Sequence, residues 1–500
     1  MKTRFLALCS VVLSSFASAG IGKSPNVLLI CVDDLKPVLG CYGDALAKTP
    51  NIDRLASRGM RFDLAYCNQA VCAASRNSLM LGSHCTSIGI YDLSKNFRKA
   101  VPDAVTLPQY FMKHGYRTEA VGKIYHTGHG NTNDAASWSV PEIPDKVVEY
   151  VDPENQARGM TREEAYFSNK ELNRINQLPR GAAWEEADVA DNAYADGRIA
   201  DNGIKLLRAA KERKGTPFFL AIGFVKPHLP LTAPKKYWDM HDPSKFQLPS
   251  NKKLPAGAPK YAGKRGGEIS NYDGIPGDGM VDDATARKLI HAYYAATSFM
   301  DAQLGRLIDE LDSLGLSEDT IIVLWGDHGW HLGDHGMWTK HTNYEQANRI
   351  PLLIIAPGIA KPGATRQLAE SADVYPTLAE LAGLPKPVVP QPLDGLSLVP
   401  VLKEPSARIR DHATHCFPRG EDRLGRAIRT ERYRLVEWKK PGAAPETADL
   451  ELYDYSLKDP EAENLADRNP EVVRKLRAIL SQQPEALAAP GNRLKPDRHP

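Results

Sequence analysis

Acidic and histidine side chains stand at two points where short apolar runs of this sequence end. Asp33 and Asp34 follow one run directly, and Asp327 and His328 follow another after a single glycine. The carboxyl ends of neighbouring parallel strands meet at one edge of a sheet, so the three carboxylates are expected to converge. Crowded carboxylates need a divalent cation to offset their charge, and oxygen ligands favour calcium, with magnesium second. The sequence therefore predicts one divalent metal site.

Two other interpretations of these acidic residues stay open at the level of sequence. Paired aspartates after a strand are commonly helix caps or turn formers, so the metal site depends on the two strand ends meeting. His331, Asp334 and His335 follow closely after His328 and also permit a zinc site. Zinc ranks below calcium and magnesium because carboxylates dominate the cluster.

A third group with possible chemistry is the thiol of Cys72. The residues around it are typical of a loop that enters a short helix, which Gly82 then ends. The N–H groups of a first helical turn favour an anion, so Cys72 is a candidate reactive residue. A buried structural cysteine is the commoner role. A zinc knuckle with Cys67, His84 and Cys85 matches no standard spacing.

The elements that must position these groups follow from the hydrophobic pattern. Four short, continuously apolar runs have the length of strands buried on both faces, and long helical patterns lie between them. This alternation predicts an α/β domain with a central, mainly parallel sheet flanked by helices. The apolar runs cover residues 27–32, 218–225, 321–325 and 352–356, and the main helical patterns cover 189–211 and 284–314.

Two further regions differ from this α/β pattern. Residues 240–283 are rich in Pro, Gly and Lys and show no period, which predicts a long surface excursion of the kind that frames active sites. After Pro385, prolines mark a connection to short alternating segments and an amphipathic stretch at 470–480. We therefore predict a catalytic domain over 20–385 and a smaller C-terminal α+β subdomain with an antiparallel sheet over 386–500.

Composition and the N-terminal segment bound the class of protein. The 500 residues are 42% hydrophobic and 25% charged, which is typical of a soluble globular chain and excludes a disordered or polytopic membrane protein. Residues 1–19 have a cationic start, an apolar stretch too short to span a bilayer, and a small-x-small end at Ala17 to Ala19. They predict a cleaved signal peptide, and hence a periplasmic or secreted protein without stable membrane insertion.

Charge and cysteine content exclude two more classes. Lys+Arg is 63 and Asp+Glu is 61, and two of the cations, Lys2 and Arg4, lie in the predicted signal peptide. The mature chain is then formally neutral, so a general polyanion surface and nucleic-acid binding are not expected. Too few cysteines for a disulfide scaffold remain after cleavage, and their pairing cannot be read from sequence. They are Cys31, Cys41, Cys67, Cys72, Cys85 and Cys416.

Several segments together resemble one enzyme family. The segment from Cys72 to Arg76 resembles the Cys-x-Pro-Ser-Arg signature of type I sulfatases, in which the cysteine is oxidised to formylglycine. The segment from Gly115 to His126 resembles the second signature of that family. Each motif alone is weak, but together and in this order they are a strong signal. The chain is most similar to the iduronate 2-sulfatase-like group, on residues 70–72, 226–230, 326–330 and 338–341.

The resemblance covers nearly the whole mature chain and implies an alkaline-phosphatase-like sandwich. It also implies that Cys72, as formylglycine, is the nucleophile and that a formylglycine-generating maturation enzyme is a partner. Ala74 stands where the family usually has proline, a difference that concerns recognition by that enzyme. The metal ligands implied are Asp33, Asp34, Asp327, His328 and residue 72 itself.

Five further residues receive roles from the resemblance. Arg76 would hold the formylglycine diol and offset negative charge. Lys123 and Lys340 would bind sulfate oxygens, and His126 would orient or deprotonate the diol. His228, which follows a third apolar run, would act as the general acid toward the sugar oxygen. Taken alone, lysines such as these are usually solvated surface charges.

The sequence thus predicts an exported, calcium-dependent sulfatase. Its substrate would be a sulfated carbohydrate, either a 2-O-sulfated uronate or another sulfated polysaccharide unit, as in glycosaminoglycan degradation. One alternative is a phosphatase or phosphonate-ester hydrolase on the same fold, although phosphatase relatives usually present Ser or Thr with a two-zinc site. The other is a non-catalytic protein that binds sulfated glycans.

Overall fold

The computed structural model describes residues 24–420 and 422–488. The signal peptide predicted for residues 1–19 lies outside the described residues. Within them, no helix combines the length and the apolar character needed to cross a membrane. All six cysteines of this part of the chain are free thiols.

Fourteen strands are described in these two ranges. They form a large central sheet, a four-stranded sheet near the C-terminus and a two-stranded sheet. The strands are β1 (Asn26–Val32), β2 (Met60–Tyr66), β3 (Arg117–Gly122), β4 (Trp184–Ala187), β5 (Phe218–Phe224), β6 (Leu231–Pro234), β7 (Thr320–Gly326), β8 (Arg349–Ile350), β9 (Leu352–Ile355), β10 (Gly363–Glu370), β11 (Ala413–Arg419), β12 (Arg423–Arg429), β13 (Tyr433–Lys439) and β14 (Asp449–Asp454).

The α-helices of the described residues range from single turns to one helix of 31 residues. They are α1 (Pro50–Ala56), α2 (Cys72–Leu81), α3 (Cys85–Ile88), α4 (Phe97–Ala100), α5 (Leu107–Lys113), α6 (Pro153–Gln156), α7 (Arg162–Ser168), α8 (Ala195–Glu212), α9 (Lys235–Trp238), α10 (Asp283–Ser313), α11 (Glu345–Asn348), α12 (Val374–Leu381), α13 (Val399–Lys403) and α14 (Pro470–Leu480).

The central sheet has the strand order β10-β2-β9-β7-β1-β5-β3, with β8 paired to β2. Strands β7, β1, β5 and β3 are parallel neighbours. Strand β9 is antiparallel to both β7 and β2, so β2 again runs in the direction of β1. The carboxyl ends of β1, β2, β3, β5 and β7 therefore share one edge of the sheet. This arrangement confirms the predicted α/β class with a mainly parallel sheet.

One predicted parallel strand is antiparallel. The run at 352–356 forms β9, which is fully buried between β7 and β2. A central strand is covered on both faces whatever its direction, so its continuous hydrophobicity could not reveal which way it runs.

Alternate residues of β1 enter two separate cores, one on each face of the sheet. Leu29 packs into the core that includes residues of α2, α5 and α12. Leu28 and Ile30 pack into the opposite core, to which α8 and α10 contribute. Helix α10 ends at Ser313, one residue before the end of the predicted pattern at 284–314. Gly315, just past the C-cap Leu314, has a φ of 61°, a conformation that glycine adopts without strain. Because helices cover both faces of the sheet, a site is expected at the carboxyl ends of its parallel strands.

The C-terminal part forms an antiparallel sheet of β11-β12-β13-β14 with α14 packed on it. This confirms the predicted antiparallel sheet, and α14 spans the predicted residues 470–480. Strand β12 begins at Arg423, four residues before the predicted segment. The domain division after Pro385 stays a prediction.

Candidate active site

The ends of neighbouring parallel strands hold most of the predicted site residues at one place. The backbone N–H of Asp33 donates to the Phe224 carbonyl of β5 at 3.2 Å, and that of Asp327 donates to the Val32 carbonyl of β1 at 3.0 Å. The Lys123 N–H donates in the same way to β5 at 2.9 Å. These bonds continue the strand ladder one residue past each strand, so the sheet itself fixes the spacing of the functional groups.

Four of the predicted ligands form one compact group. Ligand atoms of Asp33, Asp34, Cys72 and His328 all lie within 4.8 Å of one another, and all four residues are buried. His328 Nδ1 lies 3.1 Å from the Gly329 carbonyl oxygen, which can only accept, so Nδ1 carries the proton. The lone pair on Nε2 then faces the group, 3.2 Å from Cys72 Sγ.

Asp327 lies beside this group of four rather than within it. Its Oδ1 is 3.6 Å from His328 Nε2 and accepts hydrogen bonds from the backbone N–H groups of Asp34 and His328, both at 2.9 Å. Its Oδ2 accepts from Arg76 Nε at 3.0 Å. The structure therefore brings Asp327 to the edge of the predicted metal site and gives it a clear second role in orienting the backbone there.

The charge of the cluster fits a divalent cation. Burial raises the pKa of Asp34, and burial together with the negative charge of Asp33 raises the pKa of Asp327 to about 7. Burial lowers the pKa of His328 to about 4, which favours the neutral imidazole that a metal requires. The raised pKa values of Asp34 and Asp327 indicate that their charge is not fully offset, although Arg76, Lys123 and Lys340 pair with the cluster. Such oxygen donors are the expected lining of a hard-cation site. The group is thus a possible metal site.

Cys72 is the first residue of α2, as predicted, and it is buried. Burial raises the pKa of its thiol well above the usual range. The next turn of α2 is tied to β7, because Ser75 Oγ donates to the carbonyl of Asp327. Gly82 ends the helix with a φ of 66°, also as predicted.

Arg76 lies one helical turn from Cys72 on α2 and joins the two acidic strand ends. It is fully buried and donates to Asp33 Oδ1 at 2.9 Å and to Asp327 Oδ2 at 3.0 Å. Its remaining N–H groups reach the carbonyls of Lys123 and Ile124. Arg76 therefore supports the carboxylates from behind and holds the turn after β3.

We expect Arg76→Ala to destabilise the metal-free protein by about 3–5 kcal/mol, because two buried carboxylates would lose their shared partner. Denaturant unfolding in the presence of a chelator measures this change. The matched control is Arg54→Ala, since Arg54 pairs with Asp309 at 2.6 Å on an exposed surface. That change should cost at most about 1 kcal/mol. Similar losses for both variants would contradict the role given to Arg76.

A cavity of about 240 Å³ lies next to the acidic group. Four predicted catalytic residues line it, namely Cys72, His126, His228 and Lys340. The other two, Arg76 and Lys123, lie behind the carboxylates, where Lys123 Nζ donates to Asp33 Oδ2. Although burial opposes ionisation of Asp33, the charges of Lys123, His228 and Arg76 lower its pKa well below the usual range.

Two of the predicted residues that line the cavity are histidines. His126 Nδ1 is buried and has no hydrogen-bond partner among the described residues. His228 Nδ1 contacts the carbonyl oxygen of Leu229, so Nδ1 carries a proton, and Nε2 lies 3.1 Å from Glu268 Oε1. Burial, reinforced by the charge of Lys123, lowers the pKa of His126 well below its usual value. Buried polar atoms without partners mark places where a ligand completes the bonding.

Sequence reasoning missed Glu268, which links two of the predicted residues. Its Oε2 lies 2.8 Å from Lys340 Nζ, and its Oε1 lies 3.1 Å from His228 Nε2. Lys340 Nζ also donates to Asp34 Oδ1 at 3.0 Å. Burial raises the pKa of Glu268, but the charges of Lys340 and His228 outweigh burial and hold that pKa well below its usual range. Glu268 is thus a carboxylate with a 13% exposed side chain that faces both Lys340 and His228.

The excursion at 240–283 supplies Glu268 and also places Gly267 and Asn271 against the cavity. Gly267, which precedes Glu268, has a φ of 80° and a Cβ there would lie 3.0 Å from Thr339 Oγ1, so the tight approach needs glycine. The segment around Glu268 has no hydrophobic period, so no sequence pattern predicted that this glutamate faces the site. His129 and Glu163 also line the cavity and were missed. The capping box of α7, from Thr161 to Glu164, is the sequence signal that could have located the helix carrying Glu163.

Comparisons with known proteins show the family of this chain. The family model described as "Sulfatase" matches residues 25–384, and the one described as "N-sulphoglucosamine sulphohydrolase, C-terminal" matches residues 333–486. The chain is 33% identical to iduronate 2-sulfatase of Mus musculus over 420 residues, which cover 76% of this chain and 74% of the relative. For the Homo sapiens protein of the same name the identity is 34% over 396 residues, covering 72% and 70%.

A solved structure shares the fold. It is a complex with the substrate D-glucosamine-2-N,6-O-disulfate, and it superposes with a TM-score of 0.71 and 21% identity over 92% of this chain and 97% of the other. The agreement of the fold with this neighbour confirms the predicted mainly parallel sheet flanked by helices and the separate antiparallel sheet.

Proposed function

This chain belongs to the sulfatase family and is a sulfuric ester hydrolase, and from this premise we propose that it releases inorganic sulfate from a sulfated carbohydrate at Cys72. One observation carries the proposal. Cys72, His126, His228 and Lys340 line a single cavity that adjoins the acidic group of Asp33, Asp34 and His328. A nucleophile position, cations for the sulfate oxygens and a proton donor thus meet around one volume.

The nucleophile is proposed to be residue 72 after oxidation to formylglycine by a maturation enzyme. Hydration of that aldehyde supplies a carbon with two hydroxyls, one to attack sulfur and one whose collapse to the aldehyde expels sulfate by C–O cleavage. Among the residues that line the cavity, we assign removal of the proton from the attacking hydroxyl to His126, whose Nδ1 has no hydrogen-bond partner among the described residues. A neutral histidine is suited to take a proton from a hydroxyl, and burial keeps the pKa of His126 low.

The negative charge of the sulfate group is matched by the lysines of the site. Lys340 lines the cavity, and the charges of Asp34 and Glu268 outweigh burial and hold its pKa well above the usual value. It is therefore a permanent cation that can hold a sulfate oxygen. Lys123 lies one layer deeper against Asp33, from where its charge favours the same oxygens.

The leaving alcohol is proposed to take its proton from His228. His228 lines the cavity, and Glu268 Oε1, 3.1 Å from Nε2, would stabilise the protonated ring. The Glu268 carboxylate forms an ion pair with the His228 ring only while that ring is protonated. It therefore orients His228 before the proton is transferred to the leaving alcohol. Together these residues give hydrolysis of a sulfate ester to an alcohol and inorganic sulfate with one water consumed.

The metal is proposed to be held by Asp33, Asp34, His328 and residue 72, with Asp327 alongside, and calcium is the proposed ion. When bound, a divalent cation there would offset the charge on a sulfate oxygen and lower the pKa of the attacking hydroxyl. Asp327 and Arg76 keep the ligands oriented through the hydrogen bonds described above.

We expect the purified protein to contain about one equivalent of calcium per chain, because a cation would keep the buried carboxylates of Asp34 and Asp327 ionised, whose pKa values are raised without it. Elemental analysis measures it, and Asp34→Asn should lower the content severalfold. Asp239→Asn is the matched control, since Asp239 pairs with Lys235 on an exposed surface. Stoichiometric zinc without calcium or magnesium would overturn the assignment.

The finer substrate proposal is a 2-O-sulfated uronate unit of a glycosaminoglycan, handled outside the cytoplasm. The relatives named iduronate 2-sulfatase support the sugar, and the signal-like residues 1–19 support export. The test is a panel of sulfated disaccharides beside an aryl sulfate and an aryl phosphate. Preference for the phosphate would favour the phosphatase alternative, whereas binding of the disaccharides with no hydrolysis of any sulfate would contradict the enzymatic proposal.

A further inference from the structure

Glu163 is a buried acid of the cavity that the chemistry above does not use. It lines the same cavity as Cys72 and is 2% exposed. Its Oε1 is buried and has no hydrogen-bond partner among the described residues. Leaving a carboxyl oxygen buried and unbonded costs free energy, so a folded protein keeps such an atom where a ligand bonds to it.

The position of Glu163 is fixed by the helix that carries it. Helix α7 is tied to the turn after β3, because the N–H of His129 donates to the Tyr166 carbonyl at 2.9 Å and Asn169 Nδ2 donates to the Asn131 carbonyl at 2.8 Å. That turn also carries His126. The carboxyl of Glu163 is therefore held at a fixed position relative to His126.

The approach of α7 to this turn depends on a glycine. Gly128 has a φ of 110°, and a Cβ there would lie 2.8 Å from Phe167 Cα. Only a residue without a side chain permits both the backbone conformation and the contact. The helix therefore packs closely against the turn that carries His126.

The same helix gives the cavity an aromatic wall. Phe167 meets the ring of His228 edge-on with centroids 5.2 Å apart, and Tyr166 stacks on His129 at 4.7 Å. Both aromatic side chains line the cavity together with Leu93. An aromatic wall beside a carboxyl group suits a sugar ring, which presents C–H faces and hydroxyl edges.

The charge state of Glu163 agrees with an anionic substrate. Burial and the negative charge of Glu268 raise the pKa of Glu163 to about 8, so the carboxyl is mainly protonated at neutral pH. A neutral carboxyl does not repel a sulfate ester and can both donate and accept a hydrogen bond.

We propose that Glu163 determines specificity by hydrogen bonding a ring hydroxyl of the sugar that bears the sulfate ester, while the aromatic residues of α7 contact its ring. This inference rests on the proposed carbohydrate sulfatase function. Glu163 acts in recognition, so its contribution should be confined to substrates that contain the sugar.

The test compares a 2-O-sulfated uronate–glucosamine disaccharide with 4-nitrophenyl sulfate, which has no sugar. We expect Glu163→Ala to raise the KM for the disaccharide about 10- to 100-fold and to leave kcat/KM for the aryl sulfate within about twofold, because one buried hydrogen bond is lost. Glu163→Gln should restore the disaccharide KM to within a few fold, since its amide has the same shape and can donate and accept.

Calorimetric binding of the same disaccharide to Cys72→Ala protein provides a readout that does not require turnover, and affinity should fall for Glu163→Ala but not for Glu163→Gln. Glu164→Ala is the control, because Glu164 caps α7 through Thr161 at 2.8 Å, so its loss weakens the helix without removing a recognition group. Equal losses on both substrates, or no rescue by glutamine, would overturn the role of Glu163. A wild-type protein that hydrolyses no sulfate ester would overturn the proposed function instead.

Discussion

Replacement of Cys72 by alanine is expected to abolish turnover, with a loss on the order of 10⁵-fold or more, since the only proposed nucleophile is removed. Folding should survive, because the change removes a single thiol at the start of α2 and leaves the bonds of Ser75 and Arg76 to Asp327 in place. Measured activity on an aryl sulfate, together with the unfolding midpoint, separates these two effects.

The variant Cys72→Ser distinguishes a formylglycine mechanism from a simple hydroxyl nucleophile, provided that the expression host lacks a serine-type maturation enzyme. A serine could accept the sulfate but has no second hydroxyl to expel it, so at most one equivalent of alcohol should appear. Mass spectrometry should then find sulfate retained at residue 72. The matched control is Cys85→Ser, a buried cysteine that does not line the cavity and should leave turnover intact.

Sustained multiple turnover by unmodified Cys72→Ser protein would contradict the formylglycine mechanism. Peptide mass spectrometry of the wild-type chain adds an independent measurement. It reports how completely the cysteine is converted when Ala74 stands in the position where related signatures have proline.

Replacement of His228 by alanine is expected to slow hydrolysis of a sugar sulfate by about 10²–10⁴-fold, because the departing alkoxide would lose its proton donor. An activated aryl sulfate should be affected far less, since its leaving group needs little protonation. His228→Gln should show the same contrast, because glutamine can hydrogen bond at this place but cannot deliver a proton. Steady-state rates on both substrate types measure the effect.

The control for loss of a buried histidine is His241→Ala. His241 contacts Ser298 Oγ at 2.9 Å and does not line the cavity, so its removal should change both substrates equally and little. Equal losses on sugar and aryl sulfates for His228→Ala would remove it from the role of general acid and favour simple sulfate binding. A matching loss in Glu268→Gln on sugar sulfates would agree with the ion pair that the 3.1 Å contact predicts.

The amino-acid sequence alone determined the class of the fold and most of the reacting groups. Continuous apolar runs identify buried strands, and polar residues directly after them identify the functional edge, because the side-chain environment changes within one residue there. Asp33, Asp34 and Asp327 follow from this local pattern, and Cys72 follows from the motif that ends at Arg76. Local patterns could not give the direction of β9, since a central strand is buried either way.

Only the tertiary structure decided which of these groups meet, because their contacts join distant parts of the chain. Cys72 Sγ lies 3.2 Å from His328 Nε2 although 256 positions separate the residues, and Lys340 reaches Asp34 across 306. Strand order, which no local period encodes, brings them together. Glu163 and Glu268 lie on a short helix and on an irregular excursion without any apolar period, so their burial against the site arises entirely from packing. The sequence therefore identifies the end of the sheet at which the reacting groups lie, and the fold determines which residues surround the substrate.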